Sequence, residues 1–186
     1  MSWAADPARY EAAPTFAEYL GTVAKHTELW HGVYRTSAVP PGAAERLRGA
    51  GRLRLLVLSE DWCGDCVSVL PVVARLAEQA GMELRVLARD ANDDIIDAHL
   101  TSGTRSIPVV MVLDTECREH AWWGPRPSVL QRWYRNEGVL LAGPERSRRK
   151  RAWYARDRGR TTVAEIIDTV ERAGRNAARI APRMES

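Results

Sequence analysis

Residues 58–71, LSEDWCGDCVSVLP, place two cysteines two residues apart at the junction between an apolar run and a helical pattern. The run before it, LRLLVLS (53–59), is nearly continuous in apolar residues and too short for most helices, which predicts a buried strand. The segment 63–80 repeats apolar residues at helical spacing and ends at Gly81, which predicts a helix. Two cysteines in this setting can be a redox pair, half of a zinc site, or an accident of a buried helix.

The composition is typical of an ordinary globular protein, with 186 residues, 45% hydrophobic and 27% charged. The N-terminal stretch has no basic leader with an apolar run, and no segment approaches the roughly 20 apolar residues that span a bilayer. We therefore expect a cytoplasmic protein that does not enter a membrane. In a reducing compartment, a close cysteine pair is more often catalytic or metal-binding than structural.

The rest of the pattern predicts one α/β fold, a mixed sheet with helices on both faces. Helical connections between the first three strands suit parallel pairing, and a three-residue link before the fourth strand indicates an antiparallel hairpin at the edge. The further predicted strands are 82–90, 107–114 and 118–124, and the further predicted helices are 14–31, 39–51, 91–103, 125–138 and 161–180.

The position of the cysteines suits thiol–disulfide exchange. Cys63 lies in the first turn of the predicted helix, where unpaired amides and the helix dipole stabilise a thiolate and lower its pKa. Cys66 lies one turn further on the same face, from which it can resolve a mixed disulfide.

Three motifs in these positions resemble the thioredoxin-like family. They are WCGDC (62–66) after a buried strand, Pro71 five residues beyond the second cysteine, and RSIP (105–108) at the start of the third strand. Pro108 follows Cys63 by 45 residues. The resemblance covers roughly residues 52–138 and adds a specific expectation to the cysteine spacing.

The resemblance implies a role for each matching residue. Cys63 is expected to be the attacking thiolate and Cys66 the resolving thiol. Pro108 is expected to be a cis-proline beside the disulfide, Ile107 to present its backbone to a bound peptide, and Trp62 to form an apolar rim. The implied activity is that of a thiol–disulfide oxidoreductase acting on a protein or small-molecule disulfide. This activity needs no organic cofactor, because the electrons reside in the two sulfurs. A thiol reductase could be a second partner.

The sequence departs from the family in the residues that tune the sulfurs. Val57 stands where many members have a buried aspartate, and Gly-Asp separates the cysteines, which suggests a less studied bacterial branch. Glu60, Asp61 and Asp65 are expected to raise the pKa of Cys63 by charge repulsion. A destabilised thiolate favours the disulfide, so we expect a reducing rather than a strongly oxidising pair.

Two alternatives remain. Cys117 and His120 could complete a zinc set with the cysteine pair by count, but the predicted strand between them and Pro108 carries them on the order of 25 Å away. The other alternative is a module that keeps the fold and binds partners through the surface around Trp62 without turnover.

The predicted organisation has three parts. Residues 1–51 form a helical segment packed on the core, 52–138 the thioredoxin-like core, and 139–186 a basic linker with an amphipathic helix. Residues 146–160 carry a charge of +7, which leaves −4 for the rest of the chain. This basic run is interpreted first as a solvated linker, and next as a surface for an acidic partner, including the protein's own acidic body. Nucleic-acid binding comes third.

Overall fold

The computed structural model describes residues 6–180, so the outer ends of both predicted terminal segments (1–5 and 181–186) lie outside the described residues. The strands are β1 (Leu53–Ser59), β2 (Leu84–Ala88), β3 (Val109–Asp114) and β4 (Glu119–Trp123). The helices are α1 (Pro7–Ala12), α2 (Phe16–Thr22), α3 (Thr27–Thr36), α4 (Ala43–Gly49), α5 (Gly64–Ala80), α6 (Asp93–Ala98), α7 (Ser128–Asn136), α8 (Gly143–Asp157) and α9 (Arg160–Ile180). Across residues 6–180, no helix is both long enough and apolar enough to cross a bilayer.

The four strands form one mixed sheet in the order β2-β1-β3-β4. β1 and β2 are parallel, with Leu55 opposite Leu84. β3 is antiparallel to β1, with Leu55 opposite Val112, and β4 is antiparallel to β3. With helices α5 and α9 packed against its strands, this arrangement confirms the predicted mixed α/β sheet.

The direction of β3 corrects the sequence prediction, which paired the first three strands in parallel. If β3 were parallel to β2, the segment between them would have to carry the chain back along the length of the strand, about 17 Å for the five residues of β2. Helix α6 has six residues and covers only about 9 Å. The chain therefore stays near the carboxyl ends of β1 and β2, where Val109 begins β3 opposite Leu58.

The N-terminal helices cover one edge of the sheet and reach the loop after β1. The predicted helix 14–31 is two helices, because the chain turns at His26, which adopts the left-handed conformation with φ 54°. Just before α2, the carbonyl of Pro14 accepts a hydrogen bond from Val86 of the edge strand. The fully buried Trp30 of α3 donates its indole N–H to the carbonyl of Asp61 at 3.0 Å.

The basic segment is a helix, α8, and this corrects its interpretation as a linker. Pro144 at the first turn suits a helix start, and Glu145 pairs with Arg148 and Arg149 one turn later. The aromatic ring of Tyr154 is buried, so α8 also packs on the core rather than lying in solvent.

Helix α9 docks through its apolar face on β3, β4 and α4. Thr162 and Glu165 have the spacing of a capping box, but Thr162 lies inside the helix and does not cap it. Glu165 instead accepts hydrogen bonds from the Trp123 indole and from the backbone and hydroxyl of Ser128 at the start of α7. Contact between α9 and α4 is close at Gly174, where an added Cβ would lie 2.2 Å from the carbonyl oxygen of Ala50.

This contact predicts opposite effects for two glycine-to-alanine changes inside helices. Gly174→Ala forces α9 away from α4 and should lower the free energy of unfolding by about 1–3 kcal/mol. Gly32→Ala in α3 meets open space and should raise it by about 0.5–1 kcal/mol, because alanine favours helix. Urea denaturation measures both, and equal effects of the two changes would contradict the close packing of α9.

Candidate redox site

The two cysteines lie at the junction of β1 and α5, as the sequence predicted for the strand and the helix. Cys63 is the N-cap residue, with an extended backbone, and its carbonyl accepts the first helical hydrogen bond from Val67. Cys66 lies in the first turn and is fully buried, whereas Cys63 is partly exposed. All three cysteines of the chain are free thiols. Only one sulfur of the pair is therefore open to a partner.

The segment 105–108 meets Cys63 directly. The Cys63 thiol donates a hydrogen bond to the carbonyl oxygen of Ile107, with 3.7 Å between sulfur and oxygen. The peptide bond between Ile107 and Pro108 is cis. The side chain of Ile107 is buried, so this residue can offer a bound molecule only its backbone.

The two sulfurs differ in acidity. A hydrogen bond from the Cys66 thiol lowers the pKa of Cys63 to about 7, against the opposing effects of burial and of the Asp65 charge. The backbone amides of Cys66 and Asp65 also favour the Cys63 thiolate. Burial, together with the neighbouring Cys63 thiolate, raises the pKa of Cys66 well above its ordinary value. The pKa of the partly exposed sulfur is thus the lower of the two, and the buried sulfur stays protonated at neutral pH.

Asp65 is the centre of a buried ionic group that the sequence did not predict. Its carboxylate accepts hydrogen bonds from Arg126 at 2.9 Å, from Lys150 at 2.7 Å and from the Tyr154 hydroxyl at 3.1 Å. We call these four residues the Asp65 cluster. Asp65 was expected to be a first-turn acid that repels the thiolate, and its charge does raise the pKa of Cys63. The carboxylate is nevertheless paired with two cations, which the prediction did not include.

Only one of these cations was indicated by the charge pattern of the chain. The excess of charge in 146–160 over an acidic body indicated an internal partner as one interpretation, and Lys150 is the residue that makes this contact. Arg126 carried no signal, because it lies alone between two prolines. Gly124, two residues before Arg126, lets the backbone pass close to Pro108: an added Cβ there would lie 2.2 Å from the carbonyl oxygen of Pro108.

The carboxylates of Glu60 and Asp61 bind backbone amides of neighbouring segments. Glu60 accepts from the amide of Asp90 at 2.9 Å. Asp61 accepts from the amides of Ala24 and Lys25 at 2.8 and 2.9 Å, which ties the loop before Cys63 to the connection between α2 and α3. Their effect on the acidity of Cys63 stays a prediction.

Trp62 provides an apolar surface beside Cys63. Its side chain is 46% exposed, and the guanidinium of Arg89 lies 5.0 Å from the ring centroid. An exposed aromatic ring next to a reactive sulfur is suited to pack against a partner.

The hydroxyls of Ser59 and Tyr19 lie near Cys66. The hydroxyl of Ser59 lowers the pKa of Cys66, and it lies 3.2 Å from the hydroxyl of Tyr19. Val57, at the family's acid position, is fully buried and apolar. The sequence reasoning missed Ser59 and Tyr19, since neither belongs to the motif.

The four residues of the zinc alternative are not brought together. Cys117 is buried in the turn between β3 and β4, at the opposite end of β3 from Pro108. The His120 ring instead bonds the carboxylate of Asp114 at 2.8 Å. Within residues 6–180, no group of three or more histidine, cysteine, aspartate or glutamate side chains is arranged to hold a metal ion.

Comparison with known proteins agrees with this architecture. The thioredoxin family model matches residues 13–138, and so includes α2 to α4 as well as the predicted core. A crystal structure of a protein of unknown function from Pseudomonas aeruginosa superposes with a TM-score of 0.67 at 22% identity, covering 87% of this chain and 94% of that one. An HIV epitope-scaffold gives the same TM-score and identity, covering 90% and 98%. At this identity the two structures show the fold alone, and no curated protein matches the sequence.

The acidity of the pair predicts the pH dependence of alkylation. Because only the thiolate reacts, modification of Cys63 by iodoacetamide should reach half its maximal rate near pH 7. Cys66 should react much more slowly over the same range, because it is buried and its pKa is raised. Peptide mass analysis after short exposures assigns each product. A Cys63 midpoint near 9, the ordinary thiol value, would contradict the lowered pKa of Cys63.

Proposed function

Since the chain belongs to the thioredoxin family, we propose that it is a thiol–disulfide oxidoreductase that uses Cys63 and Cys66 as its redox pair. The observation that carries this proposal is the asymmetry of the two sulfurs. Cys63 is reachable, with its pKa lowered to about 7, while its partner one turn away is buried and protonated. A nucleophile that is ionised at neutral pH beside a protected resolving thiol is what two-step disulfide exchange requires.

In the first step, the Cys63 thiolate attacks one sulfur of a substrate disulfide. A bond forms between the Cys63 sulfur and that atom, the substrate S–S bond breaks, and the second substrate sulfur leaves as a thiolate that takes a proton from solvent. The amides at the start of α5 hold the attacking sulfur in its ionised form.

In the second step, Cys66 closes the disulfide. Its thiolate, formed when the thiol proton passes to solvent, attacks the Cys63 sulfur. The bond between Cys63 and the substrate sulfur breaks, and that substrate sulfur leaves as a thiolate. One reason for the raised pKa of Cys66 is the negative charge on Cys63, which is absent in the mixed disulfide. Formation of the mixed disulfide therefore makes Cys66 easier to ionise at the moment when it must react. Two electrons pass from the pair to the substrate.

The surroundings of Cys63 favour an extended, disulfide-containing segment as substrate. Trp62, the residue before Cys63, offers an exposed apolar ring, and the backbone carbonyl of Ile107 contacts the Cys63 thiol. Protein and small-molecule disulfides both fit this chemistry, a thiol reductase would recharge the pair, and no organic cofactor is needed. We place this function in the cytoplasm, in a bacterial branch of the family marked by the WCGDC motif.

The proposed direction is reduction of the substrate. The pKa of Cys63, about 7, equals the value of about 7 typical of the reducing enzyme thioredoxin and lies far above the roughly 3.5 of a strong oxidant. A less stabilised thiolate makes the dithiol a better reductant, since the disulfide is then relatively more stable.

Trapping of the mixed disulfide tests the function. With a disulfide-linked peptide as substrate, Cys66→Ser should accumulate a one-to-one adduct at Cys63, because the resolving thiol is gone. Cys63→Ser should release no product thiol. Cys117→Ser is the matched control, since Cys117 is buried in a distant turn, and it should react like the unaltered protein.

Two results would contradict the proposal. The first is thiol release by Cys63→Ser at the unaltered rate. The second is an unaltered protein that forms no adduct and releases no thiol, which would favour the binding module. Mass spectrometry of the intact protein and of its peptides distinguishes these cases.

A further inference from the structure

The Asp65 cluster joins three separate parts of the chain. Asp65 belongs to the first turn of α5, Arg126 to the loop before α7, and both Lys150 and Tyr154 to α8. The side chains of Asp65, Arg126 and Lys150 are 3%, 9% and 17% exposed. A carboxylate this deeply buried is costly to desolvate unless it is paired and hydrogen-bonded, so the loss of either cation would leave it poorly compensated.

The cluster also lies within electrostatic reach of the reactive sulfur. Asp65 is two residues from Cys63, and its charge acts on that thiol. The Tyr154 hydroxyl, which donates to Asp65, also faces Cys63 closely enough for a thiolate there to disfavour a second negative charge. The pKa of Cys63 thus depends on Cys66 and Asp65 of α5, and the charge on Cys63 in turn raises the pKa of Tyr154 on α8. Arg126 and Lys150 are the cations that pair with Asp65.

Formal charges show whether the cluster favours or opposes ionisation of Cys63. One carboxylate with two cations leaves the group formed by Asp65, Arg126 and Lys150 with a net charge of +1. Ionisation of Cys63 brings the local sum to zero. Without Lys150 the group is neutral, and the same ionisation leaves an uncompensated negative charge in a poorly solvated place.

We propose, given that Cys63 and Cys66 act as a redox pair, that Lys150 and Arg126 are positioning residues of that pair and make helix α8 a part of the redox site. They act through Asp65: their positive charges compensate its carboxylate, which would otherwise oppose ionisation of Cys63. The basic helix therefore sets the reactivity of a cysteine that lies 87 residues before Lys150 in the sequence.

Coupling of this kind acts in both directions. If a docked α8 favours the Cys63 thiolate, then formation of the thiolate favours docking of α8 by the same free energy. Oxidation to the disulfide removes the thiolate and with it this contribution. The C-terminal extension should consequently be held more firmly in the reduced protein at pH above 7 than in the oxidised one.

The test is the pKa of Cys63, read from the pH dependence of its alkylation, in variants of Lys150. Lys150→Met should raise the midpoint and slow alkylation at pH 6 by about 3- to 10-fold, because one compensating charge is lost. Lys150→Gln, which keeps a hydrogen-bond donor for Asp65 but no charge, should behave in the same way. Lys150→Arg keeps the charge and should stay near the unaltered rate.

The matched control is Arg149→Met. Arg149 is the exposed neighbouring residue on α8, carries the same charge and pairs with Glu145 instead of Asp65. Its removal should leave the alkylation midpoint unchanged. Thermal unfolding of each variant shows that it is folded at the temperature of the assay.

An anchoring role alone would overturn the proposal. In that case Lys150→Met and Lys150→Gln would lower the unfolding temperature while the Cys63 midpoint stayed where it is in the unaltered protein. Equal shifts in Arg149→Met and Lys150→Met would also contradict it, since they would reflect overall charge. Alkylation needs no turnover, so this result is independent of whether the mixed disulfide forms with a substrate.

Discussion

The buried carboxylate of Asp65 imposes a constraint that the rest of the structure satisfies. It lies in the first turn of the helix that carries Cys66, and it is only 2% exposed, so its charge is costly unless it is paired. It is paired with Arg126, from the loop after β4, and with Lys150, from helix α8. These contacts tie α8 to the first turn of α5.

The same first turn separates the two sulfurs. Cys63 ends the loop from β1 and is reachable, while Cys66 points into the core against the sheet, where burial keeps it protonated. In the proposed function, one helix start thus provides both the attacking and the resolving thiol. The carbonyl of Ile107, in the segment just before β3, contacts the exposed sulfur.

The sequence was sufficient where structure depends on local pattern. The continuous apolar run of β1, the helical spacing of α5 and its end at Gly81 placed the cysteines correctly, and so the mixed sheet was predictable. It was insufficient where structure depends on distant pairing. The direction of β3 depends on how far the chain travels between strands, and the helical state of 143–157 depends on ion pairs within α8 and on the burial of Tyr154. Arg126 is a single basic residue among many, and only the fold brings it to Asp65.

A redox titration of the free thiols tests the central claim most directly. The protein is equilibrated in thiol–disulfide buffers of graded potential and quenched with an alkylating reagent, and the modified cysteines are counted by mass. The account predicts that Cys63 and Cys66 are lost together in one two-electron transition near the thioredoxin value of about −270 mV. A transition near about −120 mV would contradict the reducing direction, and the absence of any two-electron transition would contradict the redox pair itself.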